Sequence, residues 1–141
     1  MFSEPEGQLQ RENSLKALVV DDNCSAANLI SDIFTSLGFK TVLTALDGET
    51  ALRFFNNEEP DIVVTDFIMP RIDGIALFRE MRRLRPKVPV VIFTAFSDQL
   101  DARLQREKSA PEFVLKKYAL KVEDFVFILE KCFPGRMFKF E

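Results

Sequence analysis

The sequence predicts an α/β domain: a parallel sheet with helices on both faces. Three observations carry this. Short apolar runs and helix-period segments alternate five times. The central runs, ALVV, IVV and PVVIF, are continuous rather than alternating in polarity, as strands covered on both sides are. Each central run, and the last short one, stops on a polar residue: Asp21-Asp22, Asp66, Thr94 and Lys116.

Residues 1–14 are polar, contain Pro5 and Gly7, and read as a loose tail; the domain is expected over 15–135, with a short tail at 136–141. Ala17 to Val20 is the first strand. Ala26, Leu29, Ile30, Ile33, Phe34 and Leu37 then recur at helical spacing, and Gly38 closes that helix. Thr41 to Ala45 is the second strand, and Asp47-Gly48 opens a short helix carrying Ala51, Leu52 and Phe55. Asp61 to Thr65 is the third strand. Asp73 is placed to cap a helix with Leu77, Phe78, Met81 and Leu84 on one face. Val88 to Phe93 is the fourth run, and Ser97 is expected to cap a weaker helix through Leu100 and Leu104. Phe113 to Leu115 is the last strand. Val122, Val126, Leu129 and Phe133 mark a last helix, stopped by Pro134-Gly135.

Composition narrows the function. The 141 residues suit one domain, and no repeat or second domain is read. A net charge of −3 argues against bulk nucleic-acid binding. Cys24 and Cys132 form no metal pattern and read as thiols of a reducing, cytoplasmic compartment. Negative charge beside Cys24 argues against a reactive thiol there. MFSEPEGQ is no signal peptide, and no apolar run reaches the length of a membrane span. The chain has no histidine, which excludes His-based triads, His metal sites and a phosphohistidine on this chain. The run Arg79–Lys87 is basic, but cations near a helix C-terminus are an ordinary solvated face.

In an open parallel sheet, ligands bind beyond the carboxyl ends of the strands. Asp21, Asp22, Asp66, Thr94 and Lys116 come from four strands and converge there. Three carboxylates together resist ionisation, and a hard divalent cation such as Mg²⁺, which takes oxygen ligands and shares its shell with phosphate, resolves the conflict. A carboxylate nucleophile, a metal, a lysine and a hydroxyl donor suit phosphoryl transfer to an aspartate. Taken singly, these acids are also what helix caps and turns use, and Thr94 alone is an ordinary strand-end threonine.

From about Lys16 to Phe133 the chain resembles the receiver domain of two-component response regulators. The matching motifs are VVDD (Val19–Asp22), DFIMPRIDG (Asp66–Gly74), VVIFTA (Val90–Ala95) and FVLK (Phe113–Lys116). The resemblance implies a flavodoxin-like (βα)5 fold with strand order 2-1-3-4-5, as in a chemotaxis regulator. It implies that Asp66 accepts phosphate from a partner histidine kinase, and that Mg²⁺ is held by Asp22, Asp66 and the Ile68 backbone carbonyl, with Asp21 acting mostly through water. It implies that Thr94 bonds a phosphoryl oxygen, that Lys116 pairs with the phosphate, and that the rotamer of Phe113 follows Thr94. By the family's geometry, Ile68 and Phe96 flank the path of an attacking water and set the phosphate lifetime. Such a domain is not a classical enzyme; it is a phosphoacceptor that promotes its own Mg²⁺-dependent phosphorylation and dephosphorylation.

Two residues depart from the family. Lys117 stands where a proline usually follows the lysine in a cis bond, and a non-proline cis bond costs about 2.5–4 kcal/mol. That favours a trans bond and a displaced lysine, and it makes Lys117 a competitor for the role assigned to Lys116. Ser109 stands where glycine usually precedes the last strand. The leading reading is a phosphorylation-controlled module that signals by protein contact, through the last helix, the last strand and the helix before it, with no DNA-binding domain and no membrane span. Phe127 lies off the last helix's apolar stripe and is expected exposed on that surface. The alternatives are a pseudo-receiver that no longer turns over phosphate, or the receiver fragment of a larger regulator. A haloacid-dehalogenase-type phosphatase would need an acid two residues after Asp66, where Ile68 stands, and the chain lacks a P-loop.

Overall fold

A computed structural model describes residues 15–139. The expected tail of residues 1–14 and the last two residues lie outside this range. The strands are β1 (Lys16–Val20), β2 (Thr41–Ala45), β3 (Ile62–Thr65), β4 (Val90–Thr94) and β5 (Phe113–Lys116). The helices are α1 (Cys24–Ser36), α2 (Gly48–Glu58), α3 (Gly74–Leu84), α4 (Ser97–Leu104) and α5 (Val122–Cys132), with a 3-10 turn over Lys117–Ala119. All strand pairs are parallel and the order is β2-β1-β3-β4-β5, as expected.

Strand alternation sends successive side chains to opposite faces. Ala17 and Val19 of β1 therefore join Ile62, Val64, Val91, Phe93 and Leu115 beneath α1 and α5. Leu18 and Val20 join Val63 and Val90 beneath α2 and α3. A third, smaller cluster of Phe67, Ile75, Ile92 and Leu100 seats α4. Phe34, Phe55, Phe78 and Phe125 are among the largest fully buried side chains. Each contributes roughly 1.5–3 kcal/mol by leaving water. Phe34 also meets Phe39 and Phe125 edge-on, at 4.8 and 5.4 Å between ring centres.

Gly38 ends α1 with φ +99°, and Phe39 N–H reaches back to the Phe34 carbonyl at 3.1 Å. Asp47 and Asp73 cap α2 and α3, accepting from the Thr50 and Ala76 N–H groups at 2.8 Å each. Several expectations need correction. Ser97 does not cap α4: it is already helical, Phe96 holds the cap position, and no side chain caps that end. On α1, Leu29 is exposed and Ala27 takes the inner position. The buried stripe of α5 is Phe125, Ile128 and Leu129, with Val126 and Phe133 packed against its margin. Phe127 is 58% exposed, off that stripe. Asp61 precedes β3, and its carboxylate accepts the Lys16 N–H at 2.8 Å.

Candidate functional site

Because every strand runs the same way, the ends of β1, β3, β4 and β5 lie at one edge of the sheet. The pairing of Val20 with Thr65 puts Asp21 beside Asp66, and that of Thr94 with Lys116 sets the ends of β4 and β5 level. Backbone bonds continue past the strands: Asp21 N–H reaches the Ala45 carbonyl at 3.0 Å, and Asp66 N–H the Val20 carbonyl at 2.8 Å. The two acids are thus fixed by the sheet rather than by loops.

Asp21, Asp66 and Thr94 are buried, while Asp22 is exposed at the rim. One carboxylate oxygen from each of Asp21, Asp22 and Asp66 lies within 4.8 Å of the others. Asp66 Oδ1 accepts the Phe67 N–H at 2.8 Å, and Asp21 Oδ1 accepts the Asn23 N–H at 2.9 Å. Asp21 Oδ2 is buried and accepts no aligned hydrogen bond, although the Lys117 ammonium stands 2.8 Å away. The same ammonium lies 3.4 Å from Asp66 Oδ2. Burial, then repulsion from Asp21, pushes the Asp66 carboxyl up to about 6, against the opposing pull of Lys117. Burial works against the Lys117 charge, but its close contact with Asp21 and the attraction of Asp66 outweigh burial and raise its pKa. Thr94 Oγ1 accepts the Phe96 N–H at 2.9 Å, which leaves its own proton for a partner in the pocket.

A family model, the response regulator receiver domain, matches residues 17–123 of the chain, the stretch that carries these strand-end residues. The chain belongs to that family. The receiver is 36% identical over 110 residues to a probable transcriptional regulator, ycf27, of Guillardia theta, a match covering 78% of this chain and 42% of that one. It resembles a receiver domain protein from Clostridium thermocellum at 28% identity and TM-score 0.73, covering 84% of this chain and 93% of the other. It also resembles a chain of the CheX-CheY-BeF3-Mg complex of Borrelia burgdorferi, at 27% identity and TM-score 0.70, covering 84% and 89%. The receiver spans less than half the length of the curated relatives it matches. Those relatives are named transcriptional regulators, so the expected absence of a DNA-binding domain finds no support in them. The pseudo-receiver alternative is not supported either: the acids, the threonine and a lysine all stand at the site. No described helix is long and apolar enough to cross a membrane.

The residues present fit a hard cation. The cluster offers only oxygen donors, and Asp21 supplies a buried oxygen with no aligned hydrogen-bond donor.

Of the expected site residues, Asp21, Asp22 and Asp66 come together. Lys116 does not join them: it is exposed on β5, and the lysine that reaches the acids is Lys117. Strand alternation accounts for Lys116, and the 3-10 turn that begins at Lys117 brings the next lysine round. Leu115 points into the core, Lys116 points away, and Lys117, one step further, points back toward the acids. No peptide bond among the described residues is cis. Ile68 and Phe96 are exposed, by 39% and 48%. Phe113 is half-buried and packs against the core beneath α1 and α5.

Three structural features in and around the site were not read from the sequence. Asn23 caps α1 by accepting the Ala26 N–H at 3.0 Å while its own N–H orients Asp21; its position between an acid pair and a helix was the available signal. Arg103 reaches from α4 to the Asp73 carboxylate and lies 3.2 Å from Glu107, which in turn meets Arg79 at 3.4 Å. Nothing local in the sequence announces that tie. The basic run is also engaged: Arg82 holds Glu112 and the Val88 carbonyl at 2.7 Å each, and Arg83 holds Glu80 at 2.6 Å.

Proposed function

We propose that this receiver accepts a phosphoryl group on Asp66 from a phosphohistidine of a partner histidine kinase in the cytoplasm, and reports its state by protein contact. The observation carrying this is the division of labour at Asp66. Oδ1 is fixed by the Phe67 N–H at 2.8 Å, while Oδ2 faces the pocket with a cation 3.4 Å away. Oδ2 attacks phosphorus, the bond from phosphorus to the donor nitrogen breaks, and the electron pair leaves with the imidazole. The Thr94 hydroxyl donates to a phosphoryl oxygen, and a lysine ammonium answers the charge that arrives. Asp21, Asp22, Asp66 and the Ile68 carbonyl would hold Mg²⁺, which supplies charge neutralisation at the phosphoryl oxygens.

Output follows from the same contacts. Drawing Thr94 toward the phosphoryl group frees space for the Phe113 ring, and biases the surface of α4, β5 and α5 between two states. Phe127 and Tyr118 are exposed on or beside α5, at 58% and 68%, where a partner protein would meet them.

The test is Mg²⁺-dependent labelling by acetyl phosphate. Wild type gains one acid-labile phosphate; Asp66→Asn and chelator-treated wild type gain none. Equal labelling of Asp66→Asn rejects the reading.

A further inference from the structure

The acids stand at the carboxyl edge of the sheet. At the opposite edge, where β3 and β4 begin, lies a cleft of about 520 Å³, an ordinary size for a ligand pocket. Pro60, Pro86, Pro89 and Leu84 give it apolar walls, and Leu84, the last residue of α3, is 38% exposed. Prolines suit the two sharp corners that enter β3 and β4. That accounts for the turns, and not for open apolar surface beside two cations. Arg85 and Lys87 line the same cleft. The Arg85 guanidinium donates to the Pro60 carbonyl, and its Cζ stands 4.5 Å from the centre of the Phe55 ring. Its Nε is buried with no hydrogen-bond partner among the described residues. Neither Arg85 nor Lys87 forms an ion pair among the described residues.

The chain enters the domain at the wall of this cleft. Lys16 N–H donates to Asp61 Oδ2, and Asp61 N–H to the Lys16 carbonyl, at 2.8 Å each. Asp61 lines the cleft. Residues 1–14, outside the described range, carry Glu4, Glu6 and Glu12 against Arg11 alone. Leu9 stands midway between Glu6 and Glu12. A chain advances at most about 3.6 Å per residue, so Glu12 stays within about 14 Å of Lys16 and Leu9 within about 25 Å.

We propose that the segment Glu6–Glu12 docks in this cleft of its own domain. Leu9 meets Leu84 and the prolines, Glu12 answers Arg85, and Glu6 answers Lys87. Charge and point of entry select this occupant: the cleft offers two unpaired cations around an apolar wall, and the segment offers two carboxylates around one leucine. So short a tether gives an effective concentration in the millimolar range, so contacts too weak to join two molecules suffice here. The cleft is then an internal peptide-binding site. An outside peptide of the same acidic and apolar character reaches it only by displacing the segment.

The test compares the full chain with a variant lacking residues 2–12 and with Leu9→Ser, all unphosphorylated and in chelator, so the outcome does not depend on Asp66. Amide shifts are read at Leu84, Arg85, Lys87 and Val88, and hydrogen exchange at Arg85 and Val88. The deletion and Leu9→Ser should move the same amides and speed exchange several-fold. A synthetic peptide of residues 2–14 should reverse the shifts of the deletion variant and leave the full chain unchanged at the same concentration. Glu6→Lys should release the segment, and adding Lys87→Glu to it should restore docking. Identical shifts in the full chain, the deletion variant and Leu9→Ser overturn the inference. Shifts of the full chain that fade on dilution place the segment of a second copy in the cleft and overturn it as well. A charge swap that restores nothing rejects the pairing of Glu6 with Lys87 and, with it, the docking as proposed.

Discussion

Gly74 lies so close to Asp66 that a side chain at position 74 has no room. A Cβ there would overlap the Asp66 carbonyl oxygen and stand 2.9 Å from Phe67 Cα. The contact exists because Gly74 N–H donates to the Phe67 carbonyl at 2.7 Å, which draws the first turn of α3 against the end of β3. The glycine of the turn after Asp66 thus sets where the carboxylate sits.

Gly74→Ala should therefore cost roughly 3 kcal/mol or more, since the neighbouring atoms are backbone and cannot step aside. Where the variant still folds, its labelling should fall with its stability. Denaturant unfolding checks this, and an unfolding midpoint equal to wild type contradicts it.

Asp66 carries a pH dependence of known sign. Its carboxyl is raised from 3.8 to about 6, first by burial and next by Asp21. The folded state then holds its proton more tightly than the unfolded state does. The contribution is fully favourable below the unfolded value and is lost as pH rises through about 6. Asp66→Asn in chelator should be more stable than wild type at pH 7, by about 1–2 kcal/mol after discounting for solvent screening, and nearly equal to it at pH 4. Unfolding curves at both values decide; a gain as large at pH 4 would show that ionisation is not the cause.

Ile68 and Phe96 stand exposed, each two residues beyond a residue assigned to the proposed site, Asp66 and Thr94. Neither side chain can orient a water by hydrogen bonding. The phosphoform should consequently decay slowly, and Ile68→Asn and Phe96→Glu should hasten decay several-fold, each tenfold corresponding to about 1.4 kcal/mol of barrier. Release of inorganic phosphate from the labelled protein measures it. Unchanged or slower decay in both variants would show that these side chains do not gate water.

Arg103 binds α4 to the cap of α3 through Asp73, both side chains being less than a third exposed. Asp73 also accepts the Ala76 N–H, so the same residue caps one helix and anchors another. Arg103→Ala should leave α3 capped and loosen α4, lowering stability by about 1 kcal/mol and raising amide exchange over Ser97–Leu104 at least several-fold. Exchange in α4 equal to wild type would mean that the Leu100 cluster holds the helix unaided.

The fold was legible because continuous apolar runs and the helix period are local signals. Strand order and the convergence of Asp21, Asp22 and Asp66 then follow from parallel pairing and from the family motifs. What the sequence did not settle lies where two local rules compete. Ser97 looks like a cap, yet α4 starts one residue earlier because the chain leaves Thr94 through a Phe96 N–H bond to Thr94 Oγ1. Lys116 occupies the motif position, yet β5 ends there and the 3-10 turn that follows brings Lys117 to the acids instead. Arg103 and Asp73 are 30 residues apart, a pairing no window of sequence contains.

The most direct measurement is chemical mapping of the phosphorylated residue. Borohydride reduces an aspartyl phosphate to homoserine, so peptide mass mapping reads the acceptor's position. After treatment with acetyl phosphate and Mg²⁺, homoserine should appear at position 66 and at no other, and should vanish in chelator. Homoserine at Asp21, Asp22 or elsewhere, or none at any position under saturating Mg²⁺, would contradict the assignment of Asp66.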